Sequence, residues 1–215
     1  MTNATQASPR GNARQALLEA ALRLIRERGY AATTVDDICR AAGRTKGSFF
    51  HHFASKDALA VAVADYWTEM TGAFFAAAPY QDIADPLERL LGYLAFRKAI
   101  LTGGLADFTC LAGTLVQETY DTSPEIRAAC AASIFGHAGT LEGMIRDARA
   151  RHGVTGDWTD ASLARHTQAV LQGAFILAKA AGGPAPAAES LDHLARYIRL
   201  LFANPETQMH KGETP

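Results

Sequence analysis

Three helix-start signals crowd into the 22 residues from Thr34 to Ser55: Thr34, Thr45 and Ser55 each stand just before a helical stretch. A hydroxyl at that position accepts a hydrogen bond from a free N–H of the first turn, and glycine just past a helix end takes the left-handed backbone that stops it. With Gly29 and Gly43 as stops, the pattern predicts a helix from about Gly11 to Arg28 and a short one through Ala42. A second short helix follows over Lys46–His52, and a fourth starts at Lys56. Asp36 and Asp37 fall in the first turn of the first short helix, where the helix dipole favours anions.

The rest of the chain reads as helix as well. Leu59, Val63, Tyr66, Met70 and Phe74 form one apolar stripe that runs to the Ala78-Pro79 break. Further helices are expected near Pro86–Leu101, Phe108–Tyr120, Pro124–Arg151, Ala161–Ala181 and Leu191–Ala203, with start signals at Ser123-Pro124, Asp160 and Ser190. No stretch alternates strictly between apolar and polar residues, so an all-α fold of about nine helices is expected. Gly/Pro-rich connectors at Thr102–Ala106, His152–Thr159 and Gly182–Ala188 separate the later helices.

Of the 215 residues, 48% are apolar and 20% charged, enough for a core and too balanced for a disordered chain. Apolar runs are interrupted well before the roughly 20 residues that cross a bilayer. Residues 1–10 are polar and carry no secretion or import signal, so a cytoplasmic protein is expected. Cys39, Cys110 and Cys130 are too few and too scattered for a disulfide framework or a zinc site; no metal and no cofactor is expected.

A formal net charge of −1 conceals an asymmetry. Residues 1–56 hold nine basic and four acidic side chains, a net of +5, and the remainder holds twelve and eighteen, a net of −6. A basic end on an acidic body directs only that end toward a polyanion. Two short capped helices behind a supporting one form a helix-turn-helix, whose second helix can enter a major groove. Ile38, Ala41, Ala42 and Phe49 are the expected apolar seam, leaving Arg44, Lys46, Ser48 and His51 facing outward and Gly47 permitting close backbone approach, with His52 a further candidate DNA contact. Thr34, Thr45 and Lys56, at helix N-termini, suit phosphate oxygens.

These residues carry a resemblance. Thr33-Thr34-Val35-Asp36-Asp37-Ile38, Ala41-Ala42-Gly43, Lys46-Gly47-Ser48-Phe49-Phe50-His51-His52-Phe53 and Ser55-Lys56-Asp57-Ala58-Leu59 together resemble the TetR family of bacterial regulators. The resemblance is detailed over about residues 12–60. It implies a DNA-binding domain at 1–56 with a flexible arm at 1–10, a helical ligand-binding and dimerisation domain at 57–204, and a flexible tail at 205–215. It also implies that Lys46, Gly47, Ser48 and His51 read base edges, that Lys56 holds a phosphate, and that Arg44 adds a contact. Phe50 stands where the family commonly has Tyr.

A single reading head covers few base pairs, so a homodimer on a palindromic operator is expected. Leu163, Val170, Leu171, Ala174 and Leu177 face Leu191, Leu194, Ile198 and Leu201 at helical spacing, and two copies would form a four-helix bundle. A small molecule among Tyr66, Trp67, Met70, Phe74, Phe96, Phe108, Cys110, Leu111, His137, Leu141 and Phe175 would switch the dimer. Phe108-Thr109-Cys110-Leu111, Gln117-Glu118, Gln172-Gly173-Ala174 and Ala178-Lys179 resemble the branch containing the N-ethylmaleimide- and aldehyde-responsive repressor, which implies a sensing role for Cys110 with Lys179 nearby.

Enzyme motifs GxSxG, GxxxxGK[ST] and HExxH are absent from the sequence, so no catalytic activity is expected. Repression released by an effector is the expected function. Transcriptional activation is the alternative within the family, and a ligand-independent architectural DNA binder is the alternative outside it, though that would want basic residues over most of its surface.

Overall fold

The computed structural model describes residues 9–203, in ten α-helices and one 3-10 turn, with no strand among the described residues. The helices are α1 (Pro9–Arg28), α2 (Val35–Ala42), α3 (Lys46–His52), α4 (Lys56–Ala76), α5 (Pro86–Ala99), α6 (Leu105–Phe108), α7 (Leu111–Thr119), α8 (Pro124–His152), α9 (Asp160–Ala181) and α10 (Ala185–Phe202). The 3-10 turn is Pro79–Asp82. Helix α1 opens two residues before its expected start; of the expected arm, residues 1–8 lie outside the described residues, as does the tail from 204 onward.

Two compact units emerge. One gathers the described residues up to Thr71 with Cys110–Ser133, and the other gathers Gly72–Thr109 with Ile134 onward. Helices α4 and α8 therefore each contribute to both units.

In the first unit, Leu17, Leu18, Ala21 and Ile25 of α1 are buried together with Ile38 and Cys39 of α2, Phe49 of α3 and Leu59 and Val63 of α4. Leu111 and Leu115 of α7 are fully buried here too. The seam of the reading head differs from expectation in one respect: Ala41 is exposed and Ala42 half-buried, and Cys39 is buried in their place. In an eight-residue helix the inward stripe falls on positions 35, 38, 39 and 42, and position 41 lies off that face.

Helix α2 has a complete capping box. Thr34 Oγ1 accepts the Asp37 N–H at 3.1 Å, and the Asp37 carboxylate accepts the Thr34 N–H at 3.2 Å. Gly43, in the left-handed conformation at φ 61°, closes the other end.

In the second unit, α9 and α10 pack on each other and α10 also packs on α5. Leu163, Leu171, Ala174 and Phe175 of α9 are buried, as are Leu191, Leu194 and Ile198 of α10. Ion pairs link the helices, Lys98 near the end of α5 to Asp192 in the middle of α10 at 2.7 Å and Arg151 near the end of α8 to Asp85 before α5 at 2.9 Å.

Two expected boundaries move. The helix expected near Phe108–Tyr120 is broken at Thr109 and Cys110, both extended, into α6 and α7. Helix α10 starts at Ala185, six residues before the expected Leu191, because Pro184 and Pro186 sit at its first positions, where a missing N–H costs nothing. Pro186, Ala187 and Ala188 are thus helix and not connector.

Asp37 links the fold to pH. Hydrogen bonds from the Thr34 side chain and backbone, followed by Arg28 at 2.9 Å and Arg40 at 3.0 Å, lower its pKa to about 2. A carboxylate depressed below its unfolded value, about 3.9, contributes stability that is present above that value and fades as pH falls toward 2. Acid titration of thermal stability should show this loss between about pH 4 and pH 2, and Asp37→Asn should flatten that limb.

Candidate nucleic-acid interface

Helix α3 turns one large side chain inward, the fully buried Phe49, and leaves Lys46, Gly47, Phe50 and His51 exposed. Thr45 caps it by accepting the Ser48 N–H at 3.1 Å. The caps therefore set the orientation of the outward side chains as well as the helix ends.

The sequence-predicted DNA contacts divide by how they are engaged. Lys46 Nζ lies 2.8 Å from Asp36 Oδ1, an exposed pair that raises the lysine pKa through its hydrogen bond and charge. The Arg44 side chain is half-buried, and its Nε has no hydrogen-bond partner among the described residues. His51 and His52 contact each other edge to face, with ring centroids 4.9 Å apart. The Thr34 hydroxyl donates to Asp37 Oδ2 at 2.7 Å and accepts the Asp37 N–H, so it is committed to its cap.

Lys56 is also engaged internally. Its Nζ donates to the Tyr30 carbonyl at 2.8 Å and sits 3.9 Å from the centroid of the Tyr30 ring. Burial lowers its pKa, against the opposing pull of Asp57 and Glu118. The Tyr30 hydroxyl donates to Asp57 Oδ1. Burial, followed by that bond, raises the tyrosine pKa.

Glu118 of α7 completes the cluster, and sequence reasoning gave it no part in the reading head. Its carboxylate accepts the Tyr30 N–H at 3.0 Å and the Ala31 N–H at 2.8 Å, just past the end of α1. A Cβ at Gly29, where φ is 90°, would meet Glu118 Oε1 at 2.6 Å. A partner 88 residues away in sequence leaves no periodicity to detect.

The predicted ligand residues separate between the two units. In the first, Arg26 lies over the Trp67 ring at 4.7 Å, Tyr66 is half-buried and Met70 is exposed. Cys110, half-buried, is the N-cap of α7, and its Sγ accepts the Gly113 N–H at 3.4 Å. Cys130, in the same unit, is raised to about 12 by burial and by Cys110. Lys179 belongs to the second unit.

In the second unit, Phe74 and Phe96 meet at 5.4 Å, Phe108 and Phe175 at 6.5 Å, and His137 lies 5.0 Å from the Phe75 ring. His137 Nε2 and the Tyr93 hydroxyl are 2.9 Å apart. Burial, followed by Arg97, pushes the His137 pKa down to about 4, so the ring is neutral at pH 7. Phe75, Tyr80, Tyr93 and Arg97 were missed from the sequence. Tyr93, Phe96 and Arg97 share one face of α5 by the i, i+3, i+4 rule, which was the available signal.

Two family models match. Residues 17–63 match the one described as bacterial regulatory proteins, tetR family, and residues 86–194 match the one described as tetracyclin repressor-like, C-terminal domain. The chain belongs to the TetR family. Among its relatives, the HTH-type transcriptional repressor KstR2 of Mycobacterium tuberculosis is 43% identical over 91 residues, which is 39% of this chain and 42% of KstR2. The chain thus spans about two fifths of the length of the curated relatives it first matches.

A TetR transcriptional regulator from Chloroflexus aurantiacus superposes with a TM-score of 0.79 and 26% identity, covering 90% of this chain and 97% of that one. The reduced form of Escherichia coli NemR superposes with a TM-score of 0.75 and 23% identity, covering 85% and 95%. At that identity the likeness to NemR is one of fold. No helix among the described residues is long and apolar enough to cross a membrane, and no described group of His, Cys, Asp or Glu side chains is placed to hold a metal ion.

Glu118→Gln removes the charge from two hydrogen bonds that hold the end of α1. The substitution should cost about 1 kcal/mol of stability in urea unfolding and speed hydrogen exchange at the Tyr30 and Ala31 amides more than elsewhere in α1.

Proposed function

We infer that the chain is a ligand-responsive transcriptional repressor that binds a palindromic operator as a homodimer and leaves it when an effector binds. Gly47 carries this reading. It lies on the exposed face of α3, and a Cβ there would meet only Thr45 Oγ1, at an ordinary 3.7 Å. The fold does not require a glycine here, because φ is not positive and the space beside it is open. The missing side chain leaves room for a DNA backbone or base edge to approach α3 closely, which supports this reading.

Lys46, Ser48 and His51 flank Gly47 and supply donors to base edges, with Arg44, Thr45 and His52 at the margins for phosphates. On DNA, Lys46 exchanges Asp36 for the nucleic acid. Lys56, held on Tyr30, acts in this reading by fixing the start of α4, whose free N–H groups face a phosphate.

Dimerisation is assigned to the faces of α9 and α10 left open by their mutual packing. Ile176 and Leu177 on α9 and Tyr197 and Leu200 on α10 are exposed, Leu200 at 70%. Of the residues that the sequence assigns to the bundle, Leu163, Leu171, Ala174, Leu191, Leu194 and Ile198 are core within one protomer. The repressor description of KstR2 supports repression over activation.

Electrophile sensing at Cys110, as in the branch responsive to N-ethylmaleimide and aldehydes, is a second reading. Its support is the position of Cys110, whose half-buried Sγ is the acceptor at the start of the helix that carries Glu118. Alkylation would remove that acceptor and add bulk at the root of α7.

Gly47→Ala should leave the protein folded, with a melting temperature equal to or above that of the parent, and weaken binding to a cognate palindrome at least tenfold in a mobility-shift titration. Equal affinity for the palindrome would refute the assignment of α3. N-Ethylmaleimide should release operator from the parent and not from Cys110→Ser; equal release from both would reject sensing at this thiol.

A further inference from the structure

Arg97 is placed unusually for a cation on the inner side of a helix. Its Cζ lies 5.0 Å from the centroid of the Phe75 ring, 5.4 Å from Phe175 and 6.0 Å from Tyr93, on three different helices. The side chain is half-buried, and among the described residues no carboxylate pairs with it and no acceptor takes a hydrogen bond from it. Its neighbour Lys98, one position on, does have a carboxylate partner, Asp192.

Ring faces attract a guanidinium through their quadrupole but leave its five N–H donors without acceptors. The second polar group of the cluster adds no charge, because the half-buried His137 is neutral at pH 7 and is tied to the Tyr93 hydroxyl at 2.9 Å. The cluster therefore offers one fixed positive charge with a planar fork of donors, flat apolar walls and one neutral hydrogen-bonding pair. A planar monoanion matches that set, since a carboxylate takes two parallel bonds from the fork. A phosphate dianion would bring a second charge with no cation to meet it.

We propose that the second unit binds a small organic carboxylate with a flat, unsaturated or aromatic body: Phe75, Tyr93 and Phe175 are at most 7% exposed beneath the guanidinium, so Arg97 swings out to take the carboxylate and the body takes its place against the rings. This rests on the reading of the chain as a ligand-responsive regulator and names the chemical class of its effector. Arg97 recognises the anionic head, and the rings select the body.

Benzoate, cinnamate and phenylacetate, each paired with its neutral amide, form the test panel. Binding is followed by thermal shift and calorimetry, and operator release by mobility shift. At least one acid should bind the parent about ten- to a hundredfold more tightly than its amide, the span of a charge-assisted hydrogen-bonded pair. Arg97→Gln should abolish that preference, and Arg97→Lys, which keeps the charge and loses the fork, should retain part of it.

Melting of the three proteins without ligand separates loss of recognition from loss of fold, and the Lys variant keeps the comparison usable if Gln unfolds. The proposal is overturned if acids and amides act alike, if the Arg97 variants keep the preference, or if none of the acids binds. Release of operator by the amides alone would overturn the carboxylate class while leaving the regulator reading intact. Arg97-dependent acid binding by a protein that recognises no palindrome would uphold the site and overturn the regulator reading.

Discussion

The outward chemistry of α2 and α3 depends on the apolar row of α1. Leu17, Leu18, Ala21 and Ile25 are at most 1% exposed, and the short helices α2 and α3 pack against that row. Helices of eight and seven residues have little stability of their own, since nucleation is unfavourable and few hydrogen bonds follow it. They persist because caps satisfy their ends and Ile38 and Phe49 anchor them to α1. Each such side chain contributes about 1.5–3 kcal/mol by burial, and replacing Phe49 by alanine would remove about 3–5 kcal/mol.

Much of the reading head was legible in the sequence because its signals are local. Thr34, Gly43 and Thr45 act within a few residues of themselves, and α3 begins and ends where their spacing says. Long helices were found by periodicity, and their ends by proline and glycine. The break at Thr109-Cys110 was not found, because apolar residues flank it and neither residue is a strong helix breaker. The early start of α10 was missed because a Gly/Pro-rich stretch reads as a connector, although proline is well tolerated in a first helical turn.

The groups missed altogether act at a distance. Glu118 reaches the end of α1 from α7, and Tyr93 reaches His137 across 44 positions. Spacing along one element carries no trace of such partners, which tertiary packing alone brings together. Aromatic side chains could be counted as ligand candidates, but which rings gather around a guanidinium depended on three helices converging. The position of Lys46 was legible while its tie to Asp36 was not, and the sequence showed Lys56 at a helix start without showing that Tyr30 occupies its ammonium.

The contact between Gly29 and Glu118 restricts how this chain can diverge. A side chain at position 29 would need both a strained backbone and the space now filled by the carboxylate, and a shorter acid at position 118 would free the space but abandon two amides. Neither residue can be replaced by itself without a loss, so each of the two positions limits what the other can hold.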